Sequence, residues 1–183
     1  MSITKTQKDS SASDTSIGFD YQFYHFFFLL LDLKHGEKIG LEVKDDVHVD
    51  LANGSLILIQ TKHSLQQNTA GKVINLTERD KDLWKTIFNW CKIIEEQSDP
   101  IKFIQNTSFQ IASNKNGASN PFITELVKIQ NGEIKVKDFK DYLKKLADNT
   151  SDLEIKSFIE RFAIQRSQTL KEFTSKICFE LNH

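Results

Sequence analysis

The sequence has little of what a disulfide or zinc framework needs, with two cysteines, one methionine and two prolines among 183 residues. Cys91 and Cys178 lack the short spacing of a metal site, so we expect both to be buried thiols. The longest apolar run, Phe26–Leu31, is too short to span a membrane, and the polar N-terminus lacks a signal-peptide core. The sequence therefore predicts a soluble, cytoplasmic protein that does not contact the membrane.

Net charge is also scarce, at −1, so bulk electrostatics give no argument for nucleic-acid binding. Acidic residues outnumber basic ones in residues 1–70, and the balance is reversed in residues 101–183. This asymmetry suits a metal site beside a phosphate-tracking surface, and it equally suits a solvated helical surface. What is abundant is phenylalanine, with fourteen residues, which indicates an aromatic-rich core.

The first half of the chain predicts one helix followed by three strands. Residues 1–15 are polar and are expected to be a disordered lead-in. From Ser16 apolar residues cover nearly the whole helical circumference, which predicts a buried helix. Alternation over Lys38–Leu51 and the apolar run Leu56–Ile59 predict strands, and Asn53-Gly54 is a turn signal between them.

The second half predicts mainly helices. A helix opens near Thr77 with Trp84 and Trp90 on its apolar face, where core packing is favoured over base stacking. Residues 101–112 predict a strand, and helices follow at 121–130, 138–147 and 151–181. The order α-β-β-β-α-β predicts an α/β core over residues 16–120, with residues 121–183 as a helical extension of the same domain.

One polar group stands out against this background, where the apolar strand runs into Gln60-Thr61-Lys62. Alternation puts Gln60 and Lys62 on one face of the strand, while Thr61 is expected to point away. With Asp46 they form a set suited to phosphodiester hydrolysis. Asp46 and Gln60 offer oxygen ligands for Mg²⁺ or Mn²⁺, and the Lys62 ammonium stabilises developing negative charge. Because Gln60 carries no charge, we expect Glu42 to supply a second carboxylate to the metal.

The hairpin at Asn53-Gly54 sets a geometric condition on this site. A two-residue loop pairs Asp46 with Thr61, whereas a three-residue loop pairs Asp46 with Gln60. The site therefore requires a loop of odd length or a bulge. From spacing alone, an arrangement produced by chance and solvated polar strand ends remain open alternatives.

Four short motifs in order carry a family resemblance: Gly18-Phe19-Asp20-Tyr21-Gln22, Leu41-Glu42-Val43-Lys44-Asp45-Asp46-Val47, Ile59-Gln60-Thr61-Lys62-His63-Ser64 and Asp82-Leu83-Trp84-Lys85-Thr86. Over roughly residues 16–115 the chain resembles the PD-(D/E)xK nuclease domain of double-stranded-DNA endonuclease effectors of bacterial anti-phage systems. The best-known members belong to cyclic-oligonucleotide-based immunity (CBASS), where a SAVED sensing domain follows the nuclease.

The resemblance implies a restriction-endonuclease-like core and Mg²⁺-dependent DNA cleavage with little sequence specificity. It implies Asp46 and Gln60 as metal ligands and Lys62 as the catalytic lysine. Glu42 and Gln22 would support the active site, with Gln22 projecting from the first helix. In a buried helix, Gln22 equally suits a hydrogen bond to backbone.

The same reading implies partners beyond the metal. DNA contacts are expected from four residues near the motifs, although a solvated side chain is the usual state of such residues. They are Lys44, His63, Ser64 and Lys115. The resemblance also implies control by a sensor and homo-oligomerisation. No sensing domain follows, so the chain is either part of a longer protein or is controlled by a separate partner. The competing functions are an inactive nuclease-fold adaptor that binds DNA or a protein, and a nuclease for RNA or single strands.

Overall fold

A computed structural model describes residues 5–64 and 73–181, with side chains from residue 18 onward. The chain divides into two compact units. The sheet unit comprises residues 1–74, 109–116 and 179–183, and the helical unit comprises residues 75–108 and 117–178.

The secondary structure is mixed α/β, as predicted. The strands form one sheet in the order β1-β2-β3-β4-β5, and β2 is antiparallel to both β1 and β3. The strands are β1 Lys38–Leu41, β2 Val47–Asp50, β3 Leu56–Lys62, β4 Thr107–Ser113 and β5 Ile177–Leu181. The helices are α1 Lys5–Leu31, α2 Lys81–Glu95, α3 Pro100–Gln105, α4 Pro121–Gln130, α5 Val136–Asp148, α6 Leu153–Ala163 and α7 Ser167–Lys176. In the described chain, no helix is both long enough and apolar enough to cross a membrane.

The β2–β3 hairpin meets the odd-length condition set by the sequence. Val47 pairs with Ile59, and the Leu51 N–H donates to the Ser55 carbonyl at 2.8 Å, which leaves a three-residue loop at 52–54. Gly54 closes that loop at φ 83°, a conformation that glycine adopts without steric cost. The paired residues end at Val47 and Ile59, and Asp46 lies in the turn just before β2.

Helix α1 and the sheet form the core of the sheet unit. Val47, Ile59 and Ala112 are fully buried, and Phe26 and Leu29 of α1 pack against them. Because side chains alternate along β2 and β3, the residues of one face build this core, while the strand ends remain free to carry polar groups.

The helical unit has a separate aromatic core. Trp84 and Trp90 are buried, which confirms their predicted packing role. The Trp84 ring lies 4.7 Å from Phe122 and 6.3 Å from Phe162, measured between ring centroids. Helix α2 begins with a side-chain cap, since the Asp80 carboxylate accepts the N–H groups of residues 82 and 83.

Helix α1 differs from its prediction at both its start and its outer face. It begins at Lys5 instead of Ser16, so residues 5–15 are helical. Helix propagation from an anchored segment adds one hydrogen bond per residue, which favours such an extension. Residues 1–4 lie outside the described chain. The helix is not buried all round, because seven large apolar side chains are 40–73% exposed. This outer face of α1 consists of Phe19, Phe23, Tyr24, Phe27, Phe28, Leu30 and Leu31.

Two further predictions were wrong in the second half. Residues 100–105 form α3 instead of a strand, because Asp99 caps the Lys102 N–H and Pro100 occupies the first helical turn. Residues 177–181 form β5 instead of continuing a helix, so the exposed Cys178 is not the buried thiol expected. The Glu180 carboxylate on β5 accepts a hydrogen bond from Gln110 on β4.

Candidate functional site

Buried Gln22 connects α1 to the β1–β2 turn. Its amide Nε2 donates to the Glu42 carboxylate at 2.6 Å and to the Asp46 carbonyl at 2.9 Å. The side chain is only 6% exposed. The expectation that Gln22 bonds to backbone is thus partly met, but the acceptor lies on another element. Three of the residues predicted for the site are joined directly.

The Asp46 carboxylate is oriented from β3. Its Oδ2 accepts the Thr61 backbone N–H at 2.9 Å and the Thr61 hydroxyl at 3.0 Å. The Asp46 backbone N–H donates to the Asp45 carboxylate at 3.0 Å. The sequence predicted that Asp46 shares the face of Gln60 and Lys62 while Thr61 points away from it, but the Asp46 carboxylate lies against Thr61 instead, so this placement of Asp46 was wrong. Hydrogen bonds to an ionised acceptor are stronger than neutral ones, so these contacts fix one carboxylate oxygen.

Glu42 holds an unusual backbone conformation at the end of β1. Its φ is 55°, and in the described chain it is the only non-glycine residue with a positive φ. The Glu42 N–H donates to the Asp46 carbonyl at 2.9 Å, which helps to hold the turn between them. Left-handed backbone in a non-glycine residue costs about 1–3 kcal/mol, and such residues cluster at functional sites.

Gln60 and Lys62 flank the residue that binds Asp46. Both side chains are half-buried, and strand alternation puts them on the same side of β3. Within residues 5–64 and 73–181 neither side chain forms a hydrogen bond or ion pair. By the same alternation they leave the face of β3 opposite to the Thr61 side chain, whose hydroxyl donates to Asp46.

The donor set suits a hard divalent cation. Glu42 Oε2 and Asp46 Oδ1 accept no hydrogen bond in the described chain, so each carboxylate keeps one oxygen. Mg²⁺ is commonly held by one or two carboxylates with waters completing its shell, and an amide oxygen such as that of Gln60 is compatible with it. Among the residues described, no group of three or more histidine, cysteine or carboxylate side chains gathers to hold a metal. A cation here would rely on two carboxylates, one amide and water.

The predicted DNA-contact residues have different surroundings. Lys44 is paired with Asp50 at 2.5 Å, and His63 packs on Tyr21 with ring centroids 5.0 Å apart. Ser64 is held at its backbone, where its N–H donates to the Asn114 side chain at 2.9 Å. Lys115 is only 7% exposed, which differs from the solvent-facing lysine that a DNA contact needs.

Sequence reasoning did not identify His48 as a buried group. It is 5% exposed on β2, and its ring lies so close to Gly40 on β1 that a Cβ there would come within 2.1 Å of it. Burial, with a further contribution from Lys44, lowers the His48 pKa, and the charge of Asp50, at 3.8 Å, partly opposes this. The strand alternation in the sequence gives no signal for this packing, which depends on the β1–β2 register.

A cavity of about 860 Å³ lies within the helical unit. Phe88, Ala147 and Ile164 contribute apolar walls, and Lys144 and Glu160 are among the charged residues around them. None of the residues predicted for the site lines this cavity.

Compared with known proteins, the chain matches no family model, no curated protein and no solved structure. The residues and their contacts are therefore the basis for a functional proposal.

Proposed function

We propose that the sheet unit carries a metal-dependent endonuclease site for double-stranded DNA, with a restriction-endonuclease-like core. The observation that supports it is the linkage of Gln22, Glu42, Asp46 and Thr61 by hydrogen bonds, and Lys62 is the residue that follows Thr61 on β3. Chance strand-end polarity gives no reason for a buried glutamine to bridge two acidic residues from another element.

In this proposal the cation is Mg²⁺ or Mn²⁺, held by Asp46, Glu42 and Gln60. Bound there, it would neutralise phosphate charge and lower the pKa of a water molecule. Thr61 orients Asp46, and Gln22 orients Glu42. The Lys62 ammonium stabilises the negative charge that develops on the phosphate.

Little sequence specificity is part of the proposal. The chain shows no major-groove recognition motif, so phosphate contacts would provide most of the binding. The biological role proposed is that of an effector in bacterial anti-phage defence, restrained until a sensor domain or partner activates it. This role rests on the four-motif resemblance.

Plasmid cleavage with Mg²⁺ or Mn²⁺ tests the activity. Lys62→Ala should lower the cleavage rate by about 100-fold or more, the usual effect of removing one charge-stabilising donor. Lys38→Ala is the matched control, because Lys38 is an exposed lysine at the opposite end of β1 from Glu42. Equal rates for wild type and Lys62→Ala, across metals and protein concentrations, would sink the proposal.

An inactive adaptor remains the second candidate, favoured by the absence of a three-residue metal cluster in the described chain. It predicts that Asp46→Asn leaves DNA or partner binding unchanged and that no divalent cation raises the melting temperature. The third candidate is a nuclease for RNA or single strands. It predicts that the protein cleaves RNA or single-stranded DNA faster than double-stranded DNA in the same assay.

A further inference from the structure

The outer face of α1 is an apolar surface that the sheet unit does not use. Spacings of three and four put its side chains on one half of the helix, opposite Gln22, Phe26 and Leu29, which face the sheet. Five aromatic residues here are 47–69% exposed, although aromatic residues usually contribute most when they are buried in a core.

The size of this face matches half of a protein interface. With roughly 200 Å² for a fully exposed aromatic residue and slightly less for leucine, the measured exposures leave roughly 750 Å² in contact with water. A standard interface buries about 800 Å² per partner, and the largest apolar patch on a monomer is about 300–600 Å².

We propose that the outer face of α1 binds the same face of a second copy of this chain, with the two helices antiparallel. A two-fold interface requires a surface that is complementary to itself. With the axis at Phe27, the two Phe27 rings meet, and Phe23 and Tyr24 of one helix lie at the same height as Leu31 and Leu30 of the other.

Charge at the two ends of the face favours the antiparallel direction. Asp20 is exposed near the start of the face, and Lys34 is exposed just beyond its end. In an antiparallel pair the Asp20 end of each helix lies beside the Lys34 end of the other, so this pairing of opposite charges occurs twice. A parallel pair would instead bring the two Asp20 carboxylates together. Surface-lying helices of membrane-binding proteins carry a lysine- and arginine-rich polar face, whereas Asp20 and Asp32 flank this one.

Association through α1 does not require the site on its other side to be a nuclease, so the test reads oligomeric state and not cleavage. Sedimentation velocity of the full chain between about 1 and 100 µM should show a species of twice 21.1 kDa that increases with concentration. Phe27→Glu places two carboxylates together at the axis and should abolish the dimer. Leu153→Glu is the control, since Leu153 is 80% exposed on α6.

A charge exchange tests the direction of the helices. Asp20→Lys and Lys34→Asp should each weaken the dimer, by about two- to tenfold at low salt for two exposed pairs. The double variant should restore the wild-type dissociation constant. A double variant that dimerises as tightly as the wild type supports the antiparallel pair. A double variant that dimerises more weakly than either single variant overturns it.

Cross-linking keeps the proposal testable if Phe27→Glu fails to fold. In a Cys178→Ser background, Phe27→Cys should be joined to its copy by a short bismaleimide, whereas Leu153→Cys should not. A monomer at 100 µM would overturn the proposal, as would a dimer that persists in folded Phe27→Glu. A third outcome would also overturn the proposal. If the wild-type chain stays monomeric but binds phosphatidylserine vesicles, and Phe27→Glu loses that binding, the outer face of α1 binds a membrane surface instead.

Discussion

At the residue scale, the feature that organises the site is the double hydrogen bond from Thr61 to Asp46. Both donors reach the same oxygen, Oδ2, at 2.9 and 3.0 Å. Groups that hydrogen-bond to a metal ligand fix its orientation and tune its affinity without touching the metal. Thr61 is therefore a positioning residue in the proposed site.

Thr61→Val removes the hydroxyl but keeps the shape and the backbone N–H. We expect a loss of about 10–100-fold in Mg²⁺ affinity, the usual effect of removing a group that orients a metal ligand. The free energy of unfolding should fall by about 1.5 kcal/mol, since a hydrogen bond to a charged group is lost. Thr61→Ser is the matched control and should retain both values. Isothermal titration with Mg²⁺ and urea unfolding measure them, and equal cation affinity in both variants would contradict the positioning role.

Backbone strain at Glu42 can be measured by comparing two substitutions. Glu42→Gly and Glu42→Ala both lose the hydrogen bond from Gln22, but only glycine adopts φ 55° freely. We therefore expect the glycine variant to be more stable to urea than the alanine variant by about 1 kcal/mol. Neither should support cleavage. A glycine variant less stable than the alanine variant would show that the conformation costs nothing here.

Three residues of the proposed site could be named from the sequence, but not all of their contacts, and their roles stay predictions. Gln22, Glu42 and Asp46 belong to motifs quoted from the sequence, and the structure joins them. Asp46 was expected on the face of Gln60 and Lys62 because period-two alternation assumes that β2 continues regularly through it. The chain instead turns over residues 42–46, so the Asp46 carboxylate reaches Thr61. Side-chain direction at a turn depends on three-dimensional geometry that local pattern does not encode.

At the scale of elements, strong local periodicity predicted β3, α2, α4 and α5 well. The predictions failed where contacts with other elements decide whether a segment is a helix or a strand, or whether its face is buried. Residues 177–181 extend a helical pattern in sequence yet pair within the sheet as β5. The apolar pattern of α1 indicated burial all round, because a sequence does not tell whether a neighbour covers a face or leaves it to water.

The β1–β2 pair contains a buried histidine that makes its stability depend on pH. Burial lowers the pKa of His48 from its ordinary value of 6.5. Below that value the unfolded chain binds a proton that the folded chain does not, so stability should be full above pH 6.5 and fall as the pH drops further. The slope should not exceed about 1.4 kcal/mol per pH unit, the value for one proton.

Urea unfolding at several pH values between 5 and 8 checks this. His48→Leu should abolish the slope, whereas His35→Gln, at an exposed histidine, should retain it. A slope that persists in His48→Leu would assign the pH dependence to another group.

At the scale of the whole molecule, the two compact units are built from interleaved segments. Strands β4 and β5 each begin in residues of the helical unit and continue in residues of the sheet unit. Neither unit is therefore a single contiguous stretch of the sequence. Because each unit needs segments that enter from the other, we expect the chain to unfold as one cooperative system.

The two cysteines report on this cooperativity. Burial raises the pKa of the Cys91 thiol to about 12, whereas Cys178 is exposed. Since the thiolate is the reactive form, Ellman's reagent at pH 8 should modify Cys178 promptly and Cys91 only when the helical unit opens. In Cys178→Ser, the free energy of exposing Cys91 should equal the global value from urea unfolding. Prompt reaction of Cys91 in that variant, or a protection free energy well below the global value, would mean that the helical unit opens independently despite the interleaved chain.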